Sequence, residues 1–77
     1  MSVLLDDKQR DIVKMRNGKY VCIDTCWTMD HGWETMVFTC NKEGKVINWQ
    51  DLDCDIYTTK EEADKGHCEM VNKWIHK

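Results

Sequence analysis

Five cysteines, three histidines and a run of alternating aspartates are the residues through which this chain could do chemistry. Cys22 and Cys26 fall on the same side of an extended strand, and His67-Cys68 lie on a segment of helical spacing, so the four together suggest a structural zinc site. The strand geometry opposes it. At roughly 3.3 Å per residue, Cys-x3-Cys spreads its sulfurs about 13 Å apart, too far for one tetrahedral ion unless a bulge or turn intervenes. The cysteines (Cys22, Cys26, Cys40, Cys54, Cys68) are an odd number without a secreted-protein framework, and reduced thiols packed as small hydrophobes are the expectation.

The aspartates resemble a calcium loop: Asp51-x-Asp53-x-Asp55 places Glu62 at the twelfth position. Ile56, however, stands where such a loop needs glycine, and Gly44 with Val46-Ile47 occupies the place of an incoming helix. A solvated acidic edge is the simpler reading, and neither a metal nor another cofactor is expected. His67 offers a base, a ligand or a pH switch. On an apolar helical stripe it reads first as a hydrogen-bonded core residue. Cys68 lies about 100° around the helix from it, so the adjacent pair is not a nucleophile with its base. No catalytic residues are assigned, and the chain is not read as an enzyme.

Positioning these residues requires a small core. A 77-residue chain makes one domain, residues 1–77, and buries only about 60% of the surface exposed on unfolding. With 42% hydrophobic and 32% charged residues and no proline, it is too apolar for a disordered acidic segment and too charged for a membrane protein. Leu4-Leu5 meets Asp6-Asp7 before a signal-peptide core can form, which implies a cytoplasmic location without a membrane partner. A net charge of −3 argues against direct nucleic-acid binding. Between Gln50 and Asp64, six carboxylates face Lys60 alone, so any acidic surface belongs there.

The elements follow from local chemistry. Ile12, Val13 and Met15 fit a strand entering a two-residue Asn17-Gly18 hairpin turn, with a helix from Asp6 to Arg16 as the alternative. A β-prone run from Lys19 to Trp27 carries Val21, Ile23, Thr25 and Trp27 on its more buried face. Thr28 to Gly32 supplies a turn, Trp33 to Cys40 a second such run, and Asn41 to Gly44 another turn. Lys45 to Trp49 is then a short strand. Thr59-Lys60-Glu61-Glu62 is a capping-box pattern opening a helix from about Lys60 to Ile75, with Ala63, His67, Met70, Val71 and Trp74 as its apolar stripe. Gly66 beside that stripe predicts close approach of the helix to a strand. The fold expected is α+β: an antiparallel meander of three to five strands with the C-terminal helix packed on one face.

Three blocks, Trp33-Glu34-Thr35-Met36-Val37-Phe38, Lys42 to Trp49, and Tyr57 to Ala63 leading to Gly66-His67, resemble small proteins from phages and prophages of Gram-positive bacteria. The resemblance spans about residues 33–74 and implies a phage setting in a host cytoplasm, but no active site. By analogy with small phage proteins, the expectation is a non-enzymatic accessory protein that binds a host protein, with a component of antiviral defence as one candidate. The contact residues expected are Asp51, Asp53, Asp55 and Tyr57, with Trp33 and Trp49 as aromatic anchors. A small-ligand or nucleotide-signal sequestering protein and a structural zinc domain are the alternatives, and a homodimer is expected slightly more often than a monomer.

Overall fold

The computed structural model describes residues 9–77. The signal-peptide reading of Met1 to Asp7 lies outside them. Within the described residues four strands, β1 (Gln9–Lys14), β2 (Tyr20–Thr28), β3 (Gly32–Cys40) and β4 (Val46–Tyr57), precede one helix, α1 (Lys60–Ile75). The strands pair in chain order, β1-β2-β3-β4, each antiparallel to the next, and the helix lies across one face. This is the α+β meander expected.

The Asn17-Gly18 signal makes a hairpin rather than ending a helix, but its geometry departs from a two-residue turn. Gly18 alone takes positive φ, while Asn17 keeps negative φ and its side chain accepts from the Lys19 amide at 2.9 Å. Three residues therefore separate the bonded pair Met15 and Lys19. Asn41-Lys42-Glu43-Gly44-Lys45 repeats the pattern: Asn41 and Lys45 close the loop, and Asn41 Oδ1 accepts from the amides of Glu43 and Lys45.

Strand β4 corrects the expectation of a short strand over Lys45 to Trp49, because it continues for 12 residues to Tyr57. Leu52, Cys54 and Ile56 alternate there with Asp51, Asp53, Asp55 and Tyr57, the period-two pattern of a strand, carried by aspartates that are poor strand formers. Its pairing with β3 is irregular: Val37 faces Asp53, whereas Thr39 faces Asn48. The extra β4 residues between those pairs form a bulge that re-aims the strand.

On α1, Thr59 is the N-cap and accepts from the Glu62 amide at 3.1 Å, while Glu62 Oε1 accepts from the Thr58 amide and hydroxyl. These bonds hold the Glu62 carboxyl below its ordinary range. The helix buries Ala63, Gly66, His67 and Met70. Val13, Val21, Ile23, Val37 and Met70 form the core, with Met15, Val71 and Trp74 packed around it.

Candidate functional site

Strand pairing decides which side chains share the helix-covered face. Asp11, Ile23, Val37 and Asp53 form one row across the sheet, and Gln9, Thr25, Thr35 and Asp55 form the next. His67 descends from α1 onto these rows and is only 2% exposed. Its Nε2 lies 2.8 Å from Asp11 Oδ2 and its Nδ1 lies 2.5 Å from Thr25 Oγ1, which is 2.6 Å from Thr35 Oγ1. A carboxylate only accepts, so the ring donates from Nε2 to Asp11, and Nδ1 is hydrogen-bonded to the Thr25 hydroxyl. The Thr25 and Thr35 hydroxyls are hydrogen-bonded to each other. Every buried polar atom of the chain of contacts is satisfied.

The order hydroxyl, imidazole, carboxylate is that of a nucleophile, its base and an orienting acid. Here Thr25 is 1% exposed, so its hydroxyl faces no open space in which a substrate carbonyl could sit. What the arrangement does is tie α1 to β1 and β2. The expected packing role of His67 is thus seen, together with partners 42 and 56 residues away.

The residues expected to contact a partner divide between two faces. Trp33 pairs with Trp27 and Tyr57 at the end of the helix-side face, and Trp33 and Tyr57 are half-buried. Tyr57 lies against Gly66, and burial pushes its hydroxyl above the ordinary tyrosine range. Trp49 stands on the opposite, helix-free face, edge-on to Phe38 with ring centres 5.3 Å apart. Asp51 and Asp55 are exposed, whereas Asp53 is committed to the fold. It accepts from Lys73 Nζ at 2.7 Å, from Trp74 Nε1 at 3.2 Å and from the Cys54 amide at 3.0 Å.

The Lys73 bond, ahead of the Trp74 and Cys54 contacts, holds the Asp53 carboxyl below its ordinary value, with partial burial opposing. A carboxyl whose folded pKa is depressed adds stability above its unfolded pKa of about 4 and loses it as pH falls toward the folded value. Thermal unfolding of Asp53→Asn should therefore show a shallower loss of stability than wild type between about pH 5 and pH 2. Equal slopes would show that the Asp53–Lys73 contact does not operate in solution.

Between β4 and α1 runs a groove of about 190 Å³ lined by Asp53, Asp55, Gly66, Glu69, Met70 and Lys73. It adjoins a wider, shallow depression bordered by Tyr57, Glu62, Lys65 and Glu69. The carboxylates make both unfavourable for a phosphate. Nor does the sheet assemble the sulfurs and imidazole imagined for zinc: Cys22 and Cys26 share the face of Phe38, away from α1 and His67. The helix covers the other side. Among the described residues, no group of three or more His, Cys, Asp or Glu is placed to hold a metal ion, and no helix is long and apolar enough to cross a membrane. Asp51, Asp53 and Asp55 are part of a strand rather than an ion-binding loop.

No protein-family model, curated protein or solved structure matches the chain.

Proposed function

We propose that this chain is a non-enzymatic, phage-encoded accessory protein that binds and modulates a host protein, with an antiviral defence component as the class of target. The observation that carries the reading is the composition of β4. Large apolar side chains stand in water on its helix-free face, Trp49 at 72% exposure and Ile56 at 54%, while the exposed carboxylate Asp51 lies between them in sequence and the exposed Asp55 stands on the helix-covered side. Burying such residues against a partner is favourable, and aromatic anchors bordered by charge are typical of protein interfaces. The phage setting comes from the sequence resemblance.

Native mass determination beside the mass of the denatured chain tests this reading against ligand sequestration. A bare chain or bare dimer is expected; a dimer carrying additional small-molecule mass would favour the sequestering alternative. Charge reversal at Asp51 and Asp55 is then expected to weaken the isolated host partner about tenfold, sparing Asp53 because of its structural bonds. Unchanged affinity would remove these two aspartates from the interface.

A further inference from the structure

The helix-free face of the sheet is covered at one end by the chain itself. The β3–β4 hairpin folds back across it, so that Arg10 Nη2 donates to the Gly44 carbonyl at 2.9 Å while Arg10 Nε contacts Cys22 Sγ at 3.0 Å. A Cβ on Gly44 would stand 2.4 Å from Ile12 Cδ1, which shows how closely hairpin and β1 meet. Cys22, Phe38 and Cys40 are buried on this face.

Toward the other end the face is open. Strand alternation puts Leu52, Cys54 and Ile56 there, Met36 is paired with Cys54, and Trp49 lies against Phe38. Leu52, Trp49 and Ile56 are all exposed. Acidic groups border the strip: on its own face Glu34 is paired with Ile56 and Asp24 with Met36, and Asp51, next to Leu52 in the edge strand, belongs to the alternate set. Their field is felt at its centre, where desolvation first, then Glu34 and Asp51, raise the Cys54 thiol.

We propose that the strip formed by Trp49, Leu52, Cys54 and Ile56 docks a protein surface presenting apolar side chains set among lysines or arginines. The inference rests on the partner-binding reading above and adds the face used and the chemistry of its occupant. The apolar centre gains by excluding water, and the carboxylate border selects a cationic rim. A second copy fits less well, since it brings the same acidic border and the same net charge of −3. Addition of a partner strand to β4 is obstructed as well. Asp53 Oδ1 accepts from the Cys54 amide at 3.0 Å, Asp55 Oδ1 from the Ile56 amide at 3.2 Å, and Asn48 Oδ1 from the Gln50 amide at 3.0 Å. The strand's own side chains occupy donors that a new strand needs. Recognition therefore falls to side chains on the face rather than to the backbone edge.

The probe is a synthetic peptide of alternating leucine and lysine, with an alternating leucine–glutamate peptide as control, titrated into the ¹⁵N-labelled protein at physiological salt. Saturable binding of the cationic peptide is expected, with amide shifts centred on Met36, Leu52, Cys54 and Ile56. Ile56→Lys and Glu34→Lys, checked for wild-type melting, should each weaken it about tenfold. Shifts centred on α1, no saturable binding, equal binding of the acidic peptide, or unchanged affinity in both variants would overturn the proposal. So would a stable dimer that protects the Ile56 side chain from solvent. Failure of the broader reading looks different: the strip binds the cationic peptide while no host protein binds the chain. A host protein bound equally by wild type and both variants would keep the broader reading and discard this face.

Discussion

His67→Ala is expected to cost roughly 2–4 kcal/mol of folding stability, a fall in the unfolding midpoint on the order of 10–20 °C for a domain of this size. The substitution empties a site that is 2% exposed and leaves Thr25 without its ring partner. Thr25→Val separates the hydrogen bond from the packing: it keeps the side-chain shape but deprives His67 Nδ1 and Thr35 of a partner, at about 1–3 kcal/mol. Asp11 has a side chain 57% exposed, so water replaces much of what it supplies, and Asp11→Ala should cost no more than about 1 kcal/mol. Thermal unfolding followed by circular dichroism reads the series. Should His67→Ala melt within about 2 °C of wild type, the buried contacts would not be the tie between helix and sheet.

Gly66→Ala should destabilise the protein by about 1–3 kcal/mol, although alanine is preferred to glycine inside a helix by about 1 kcal/mol. The reason is Tyr57. A Cβ at position 66 would stand 2.2 Å from Cζ and from the hydroxyl oxygen, and 2.3 Å from Cε1. The half-buried ring would have to leave its place on the helix. In a Tyr57→Ala background the same change should become neutral or stabilising, because only the propensity term remains. A double-mutant cycle by urea denaturation measures this reversal. If Gly66→Ala has the same effect in both backgrounds, the two residues do not meet in solution.

Much of the framework was legible because its signals are local. Thr59 and Glu62 announce the helix start within four residues, and the apolar stripe from Ala63 to Trp74 names the covered face. Asn17-Gly18 marks a turn, although the sequence did not distinguish two connecting residues from three. The extent of β4 was obscured by chemistry: Asp51, Asp53 and Asp55 read as a solvated run, while the alternating Leu52, Cys54 and Ile56 carried the strand signal. The bulge between Asn48 and Asp53 leaves no comparable mark. It helps explain why residues close in sequence, such as Trp49 and Asp53, present themselves to opposite faces. Asp11, Thr25, Thr35 and His67 belong to four different elements, and their meeting depends on strand register and helix placement together.

The chain-order meander also bears on how the molecule assembles during synthesis. Each hairpin joins strands that are neighbours in sequence, so pairing requires only short loops to close, whereas the Asp11–His67 contact spans 56 residues. Ribosomes complete α1 after all four strands, and until it emerges Val21, Ile23 and Val37 lack their cover. The nascent sheet thus passes through an interval with apolar surface on both sides, in which contact with a chaperone or a neighbouring nascent chain competes with arrival of its own helix.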